Sequence, residues 1–420
     1  MIAESLPAAE AAQPRTQMVH VAPLPATVER PKRLVSLDAY RGFVMLLMIS
    51  AGLGIPKIAE HFPASKVWQF LAHETDHAEW RGCTLWDLIQ PSFMFIVGVA
   101  VPYSMAARFA RGDSRGRIIG HALWRAFLLV VLGIFLSTSS GKSTEFIFTI
   151  VLAQIGLGYP FLALLGFTKP RTQAIAVVVL LLGTWAAFAL SPVQSLVMNE
   201  NSMKAMGLTP DWEVLHGFEA HWQKSANITT KVDQWLLNLF PRKEHFDFNR
   251  GGYQTLNFIP SLATMTMGLL AGGLLRSHRS EREKLRWLIL TGVAALALGA
   301  IWDWIGLCPM VKRIWTPSFA VFSAGWALLL LAGFYAVIDV RGYRRWAFPF
   351  VVAGMNCIAL YCMSMLMKPF IRERMRMHFG QKVFESFGEM YAPMVEMVTI
   401  LTVLWLVAWW MYRRKIFLRI

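Results

Sequence analysis

The stretch TLWDLIQPSFMFIVGVAVPYSMAA, residues 84–107, is an apolar run long enough to cross the hydrocarbon core of a bilayer as one helix. It contains one charged residue, Asp87, close to its beginning. Similar apolar blocks recur along the chain of 420 residues, of which 55% are hydrophobic and 16% are charged. The sequence therefore predicts an all-α integral membrane protein.

Apolar blocks bounded by charge, proline or glycine predict a bundle of about ten transmembrane helices. These blocks lie near 37–55, 84–107, 119–137, 145–166, 172–190, 254–275, 286–305, 315–338, 346–368 and 391–411. Residues 1–32 are rich in Ala, Pro and Glu and are predicted to form a disordered cytoplasmic tail, with the transmembrane domain at 33–420. The long loops 56–83 and 191–253 are predicted on the outer side.

The formal net charge of +15 comes from Lys and Arg clusters in short connectors, such as 108–111 and 276–286. Such clusters are typical of cytoplasmic segments and of contact with anionic lipid headgroups. We therefore expect cytoplasmic N- and C-termini, the lipid bilayer as a partner and no nucleic acid. Segment 369–390 departs from this pattern and indicates either an interfacial amphipathic helix or a miscounted span.

Cysteines and histidines outside the spans raise the questions of a disulfide bond and of a metal site. Of the four cysteines, Cys83 and Cys308 are predicted outside the membrane, and a disulfide between them is an open alternative. Loop 56–83 combines histidines with carboxylates, but it lacks a compact zinc motif such as His-Glu-x-x-His, so we expect no metal. The oligomeric state is open, a homodimer included.

Ionisable residues at or inside the spans need a partner or a water-lined cavity. His77 lies where a polar loop meets the second span, and Asp87 follows ten residues later. A buried carboxylate beside an imidazole would orient the ring, although sequence does not show whether the two residues touch. In the first span Asp38 and Arg41 share a helix face, and the third span contains Arg125.

The run HAEWRGCTLWDLIQPSFMFIVG, which begins at His77, resembles the signature H-x-x-W-x-G-x-x-x-x-D-L-x-x-P-x-F-x-F-x-x-G of the heparan-α-glucosaminide N-acetyltransferase family. Segments 33–42, 312–318 and 354–356 resemble the family's opening helix, its segment before a late span and its Gly-x-Asn. These matching segments are spread over most of the chain, from residue 33 to about residue 368.

This resemblance implies an integral-membrane acyltransferase that takes acetyl from cytosolic acetyl-CoA and delivers it to an amino sugar on the outer side. Because the chain lacks the large N-terminal lumenal domain of the family's known member, we expect a bacterial inner membrane as the compartment. His77 matches the family's catalytic histidine, and Asp87 would orient its ring. The imidazole can act as the base for an attacking amine or carry the acetyl group itself. The sequence leaves both routes open.

The resemblance also suggests residues for the two substrates. Trp80 is either a wall for the sugar or an interfacial anchor. The further candidates for the acceptor pocket are Asp38, Trp315, Ser318 and Asn356. Arg41 and Arg125 are the candidates for the phosphates of acetyl-CoA. The chain departs from the family at 49–54, which lacks the family's Asn, and at 250–253, where RGGY replaces Asp-Pro-Glu-Gly, so acceptor recognition stays open.

A proton-coupled transporter of a small sugar-like solute is the alternative interpretation, because buried Asp and Arg also occur in such carriers. A carrier would more often show two equivalent halves with helices broken at matching places. The sequence shows no such repeat. A purely structural role would leave the run at His77 unexplained.

Overall fold

The computed structural model describes residues 34–139, 141–194 and 199–418, which fold into α-helices joined by loops and short turns. The helices are α1 Val35–Ser50, α2 Ile55–Ala59, α3 Lys66–Glu74, α4 Ile89–Phe109, α5 Arg115–Thr138, α6 Val151–Leu165, α7 Pro170–Ala189, α8 Glu200–Met206, α9 Ile228–Leu237, α10 Phe258–Arg276, α11 Glu281–Trp304, α12 Pro317–Phe334, α13 Phe348–Met355, α14 Cys357–Leu366, α15 Lys368–Phe379 and α16 Ala392–Arg413. The predicted all-α class is confirmed. The predicted tail, 1–32, lies outside the described residues.

Eight helical segments in the described ranges are long and apolar enough to cross a bilayer. They are Val35–Ala59, Trp86–Phe109, Arg115–Thr138, Pro170–Ala189, Thr255–Arg276, Glu281–Trp304, Pro317–Val340 and Glu389–Arg413. The predicted span near 346–368 is a broken pair, because α13 and α14 meet at 69° around Asn356, and it makes a ninth span if counted as one. The predicted span near 145–166 contains α6, which has only 15 residues.

Burial separates central helices from peripheral ones. In α4 and α10, 67% of the apolar window is buried inside the protein, whereas the value is 17% for α11 and α16. A helix that is apolar all round but exposed to the outside of the bundle is suited to a lipid environment. The spans α4 and α10 therefore form the centre of the bundle.

Glycines allow the two central helices to touch along their backbones. A Cβ atom on Gly268 would overlap the carbonyl oxygen of Phe95, and one on Gly272 would overlap that of Val99. Such close approach of small residues is a common way for membrane helices to pack. The next residue, Gly273, faces open space.

The long loops 56–83 and 191–253 meet at one end of the bundle, which we call the His77 end. Trp80 packs there with Trp212, Trp222 and Val311 in a small apolar core of its own. The opposite end, called the Arg41 end, carries the connectors 110–114 and 277–280 between helices. The two loops therefore fold together over the beginning of α4.

The segment 369–390 begins with the polar helix α15, which does not qualify as a membrane span. Its Arg372 donates to Glu396 of α16 at 2.6 Å, and Arg376 lies 3.7 Å from the same carboxylate. The basic residues of this segment are thus partly neutralised by the last span.

We predict that Gly272→Ala destabilises the protein by about 1–3 kcal/mol, because the added methyl group separates α10 from α4. The measurement is the thermal unfolding midpoint in detergent. Gly273→Ala is the matched control: it adds the same methyl group one residue away in open space and gains helix propensity, so its midpoint should stay the same or rise. Equal destabilisation by both variants would contradict the close packing.

Candidate active site

Asp87 is the buried centre of the site, with 1% of its side chain exposed at the turn that leads into α4. Its Oδ2 accepts hydrogen bonds from the backbone N–H of Ala78 (3.1 Å) and from both the N–H and the hydroxyl of Thr84 (each 3.2 Å). An ionised carboxylate is an acceptor only, and these donors suit that state. They also fold the preceding loop tightly around Asp87.

His77 is held against the other oxygen of this carboxylate. Its Nδ1 lies 2.7 Å from Asp87 Oδ1, and 36% of the side chain is exposed. The loop is closed by Asp76, whose carboxylate accepts from the His77 N–H (2.7 Å) and whose carbonyl accepts from Thr84 (2.7 Å). Nε2 has no hydrogen-bond partner in the described part of the chain and is therefore the ring atom left for a substrate.

Lys312 completes the site, although sequence reasoning did not select it. Its Nζ lies 2.9 Å from His77 Nδ1 and 3.1 Å from Asp87 Oδ1, and only 6% of its side chain is exposed. Burial lowers the pKa of Lys312, and the Asp87 carboxylate partly offsets that effect. The sequence signal was a Lys-Arg pair just before an apolar span, which also describes an ordinary connector.

The loop that carries Lys312 is fixed by backbone contacts. The N–H of Gly82 donates to the carbonyl of Met310 at 2.8 Å, and Gly82 and Val311 form a parallel bridge. Trp315 closes the loop by donating its N–H to the Lys312 carbonyl at 2.9 Å, with a left-handed φ of 49°. A strained conformation at a buried tryptophan persists only where its surroundings enforce it.

Trp315 and Ser318, predicted as pocket residues, lie inside this packing. Trp315 is 1% exposed and its Nε1 donates to Thr264 at 3.2 Å. Ser318 is fully buried and donates to the carbonyl of Pro309 at 2.9 Å. Both side chains support the Lys312 loop.

Trp80 is also buried, with 6% exposed. Its Nε1 donates to the carbonyl of Trp222 at 3.1 Å, and its ring packs edge-on against Trp212. The neighbouring Arg81 binds Asp303 and Glu219, each at 3.1 Å. These contacts join the His77 loop to α11 and to loop 191–253, and they leave little of the Trp80 indole for a sugar.

Cys83 and Cys308 are free thiols in the structure. Burial raises the pKa of Cys83 to about 12 and that of Cys308 to about 11. Both sulfurs are therefore protonated near neutral pH, which disfavours thiol–disulfide exchange. Within the described ranges, no three His, Cys, Asp or Glu side chains are grouped as metal ligands.

A cavity of about 510 Å³ near the Arg41 end contains the two arginines predicted for the donor. Its charged and phenolic lining consists of Asp38, Arg41, Arg125, Tyr159 and Tyr361. Arg41 pairs with Asp38 at 3.4 Å. The structure thus brings Asp38, Arg41 and Arg125 together, away from His77.

Arg125 has no carboxylate within salt-bridge distance among the described residues. Its guanidinium lies 4.6 Å from the Tyr159 ring centroid and donates to the Tyr159 hydroxyl at 3.0 Å. Its Nε is buried and has no hydrogen-bond partner within residues 34–139, 141–194 and 199–418. An unpaired cation inside a membrane span is expensive, so this guanidinium is suited to an anionic ligand.

Asn356 adjoins this cavity and does not contact His77. Its Nδ2 donates to the carbonyl of Ile416 at 3.0 Å, and its Oδ1 accepts from the N–H of Leu418 at 3.2 Å. Gly354 and Cys357, on either side of it, line the cavity. Asn356 therefore ties the C-terminal segment to the break between α13 and α14.

Helix α4 connects the two regions. It lines the cavity from Phe93 to Ser104, a length of about 16 Å at 1.5 Å per residue. Phe93 follows Asp87 by six residues, a rise of about 9 Å. The polar centre at His77 and the cavity with Arg125 thus lie along one helix of the central layer.

Comparison with known proteins agrees with the resemblance in the His77 run. No protein-family model matches the chain. The heparan-α-glucosaminide N-acetyltransferase of Homo sapiens is 26% identical over 93% of this chain, and that of Mus musculus is 23% identical over 92%. The chain is therefore similar to these two N-acetyltransferases over most of its own length. It spans 60% of the length of these two N-acetyltransferases.

We predict that Asp87→Asn destabilises this N-acetyltransferase relative by about 3–5 kcal/mol. The amide replaces one of the two acceptor oxygens with an NH2 group, which then faces the donors of Ala78 and Thr84 or the nitrogens of His77 and Lys312. The measurement is the thermal unfolding midpoint in detergent, with the exposed Asp211→Asn as control. A midpoint that falls no further than that of the control would contradict a buried, ionised Asp87.

Proposed function

We propose that the chain is a membrane acetyltransferase that moves acetyl from acetyl-CoA to the amino group of a sugar. The main support for this proposal is the position of His77. Its Nδ1 is held 2.7 Å from a buried carboxylate, and its Nε2 has no hydrogen-bond partner among the residues that the structure describes. This arrangement fixes the orientation of the imidazole and leaves Nε2 available to a substrate. The reaction type and the class of acceptor are taken from the two related heparan-α-glucosaminide N-acetyltransferases.

Two chemical routes are compatible with this geometry. In the first, Nε2 takes a proton from the acceptor amine while that amine attacks the thioester of acetyl-CoA. In the second, Nε2 attacks the thioester itself, and the acetyl group is passed on from the ring. Asp87 serves both routes by fixing the orientation of the ring.

The cavity near Arg125 is the proposed site of the donor. Coenzyme A carries phosphates, and arginine is suited to them because its planar guanidinium offers several fixed N–H donors. Arg125 lacks a carboxylate partner in the described chain, whereas Arg41 is already paired with Asp38. Arg125 is therefore the principal phosphate ligand in this proposal.

The proposed sidedness follows from the positive connectors. Connectors 110–114 and 277–280 are at the Arg41 end, and the basic clusters 108–111 and 276–286 lie around them. An excess of Lys and Arg in short loops is typical of the cytoplasmic face. The donor cavity would then open toward the cytoplasm, with both termini there, and His77 would face the opposite side.

A transporter remains the competing function, and one observation bears on it. Carriers commonly use broken helices at corresponding places in two structural repeats. The described residues contain one strongly bent helix pair, α13 with α14. The acetyltransferase proposal explains the His77 site, which a carrier would not require.

We predict that His77→Ala lowers acetyl transfer from radiolabelled acetyl-CoA to glucosamine by about 100-fold or more. The measurement is the product formed, and the label retained, by the purified proteins in detergent. Label retained on the wild type alone would select the acyl-histidine route. His73→Ala, in the same loop, is the control and should behave as wild type. Full activity of His77→Ala would overturn the proposed role.

We predict that Arg125→Gln weakens binding of coenzyme A by about 10- to 100-fold, the loss expected for charged hydrogen bonds. The measurement is calorimetric titration of the purified protein in detergent. The control is Arg117→Gln on the same helix, where the guanidinium is 71% exposed and paired with Asp113. If Arg125→Gln binds coenzyme A with unchanged affinity, the proposal that this cavity is the donor site is wrong.

A further inference from the structure

Three polar atoms meet at the centre of the site within hydrogen-bond distance of one another. His77 Nδ1 lies 2.7 Å from Asp87 Oδ1, Lys312 Nζ lies 2.9 Å from His77 Nδ1, and Lys312 Nζ lies 3.1 Å from Asp87 Oδ1. Lys312 and Asp87 are 6% and 1% exposed, so water does not separate them. The protons shared by these atoms decide what His77 can do.

Counting hydrogens distinguishes the protonation states of this cluster. If Lys312 is an ammonium and His77 carries its proton on Nδ1, the Lys312 and His77 nitrogens are both donors and cannot bond each other. If the proton is on Nε2 instead, Nδ1 and Asp87 Oδ1 face each other with lone pairs only. If Lys312 is a free amine, the His77 Nδ1–H can be shared between Asp87 Oδ1 and the lone pair of Lys312 Nζ. An N–H of Lys312 then donates to Asp87 Oδ1, so all three contacts are hydrogen bonds.

The groups around Lys312 are consistent with a free amine. Burial and the neighbouring Arg313 both lower the pKa of Lys312, whereas Asp87 and Cys83 raise it, with burial the largest effect. The guanidinium of Arg313 is held nearby by the carbonyls of Gly251 (2.8 Å) and Ala78 (3.4 Å). Lysine is the cationic side chain that loses its proton readily when buried.

We propose that Lys312 is the proton partner of His77 Nδ1, taking the ring proton when Nε2 reacts and returning it afterwards. The inference rests on the acetyl transfer proposed above. Lys312 acts through His77 and does not touch the substrate, so it is a positioning residue that also exchanges a proton. Asp87 stabilises the ammonium that forms.

In the general-base route the proton passes through the cluster. The acceptor amine attacks the thioester carbon and gives a proton to Nε2, while Nδ1 gives its proton to the lone pair of Lys312. The bond between carbon and sulfur then breaks, and the thiolate of coenzyme A takes a proton from Nε2. Lys312 returns its proton to Nδ1, which restores the starting state.

In the acyl-histidine route the same exchange controls the intermediate. Nε2 attacks the thioester carbon, the thiolate leaves and takes a proton from water, and Nδ1 gives its proton to Lys312, which leaves a neutral acetylimidazole. Return of that proton to Nδ1 makes the ring a better leaving group. The acceptor amine then attacks, the bond from carbon to Nε2 breaks, and the amine releases its proton to water.

The first test measures the charge of Lys312 without any substrate. The full chain is labelled with ¹⁵Nζ and ¹³Cε lysine in detergent, and the Lys312 signals are those absent from Lys312→Arg. We expect free-amine shifts at pH 8, whereas exposed lysines show ammonium shifts. Lys224 is the matched control: burial lowers its pKa to about 8, but its Nζ donates to the Gly207 carbonyl and has no contact with His77. An ammonium at Lys312 up to pH 9 would overturn the proposal.

The second test separates proton exchange from a structural ion pair. Lys312→Arg places a permanent positive charge beside Asp87, as a structural ion pair would have, because a guanidinium does not give up its proton. We expect acetyl transfer to fall by about 100-fold or more while coenzyme A still binds. In Lys312→Ala, added methylamine should restore activity in proportion to its free-amine concentration. Activity of Lys312→Arg within a few fold of wild type, or a rescue that follows ammonium, would show a purely structural role.

The two tests also separate this inference from the proposed function. If the wild type transfers no acetyl group to glucosamine, the acetyltransferase proposal fails for that acceptor, and the lysine signals alone decide the state of Lys312. If the wild type is active and Lys312 is an ammonium, the proposed function stands and the proton-partner role is wrong.

Discussion

The buried carboxylate of Asp87 is the interaction on which the site depends. One oxygen collects three donors from Ala78 and Thr84, and the other faces His77 and Lys312. A carboxylate that is 1% exposed is tolerated only when such donors replace water. The same contacts that stabilise the charge therefore fix the loop before α4, aim the imidazole and anchor the loop that carries Lys312.

The central helix α4 determines where the Asp87 site and the Arg125 cavity lie along the bundle. The turn just before α4 holds Asp87, and the middle of α4 lines the cavity with Arg125. The close contact of α4 with the glycines of α10 fixes the position of both regions. Polar groups inside a bilayer must lie against protein or a water-filled space. Asp87 and Arg125 meet this requirement because each lies against protein or a cavity beside α4.

Sequence predicted the parts that depend on local pattern. Apolar blocks predicted the spans, and the run from His77 to Asp87 predicted a polar centre at a helix start. Lys312 was missed because it is 235 residues from His77 in the chain, and no local pattern encodes that contact. Trp80 was a candidate for contact with the sugar because the sequence does not distinguish a tryptophan at a binding surface from one in a small apolar core. Asn356 was placed in the acceptor pocket, but the break after α13 directs it to the C-terminal segment.

The energetics of the cluster argue that it exists for more than stability. A buried ion pair usually contributes less to stability than apolar side chains of similar volume would, because desolvation offsets most of the attraction. An arginine beside Asp87 would offer more donors and a permanent charge, so a purely structural pair would be served at least as well by Arg as by Lys. What lysine offers in addition is a proton that can leave. At a ring nitrogen 2.9 Å away, that difference is chemically useful.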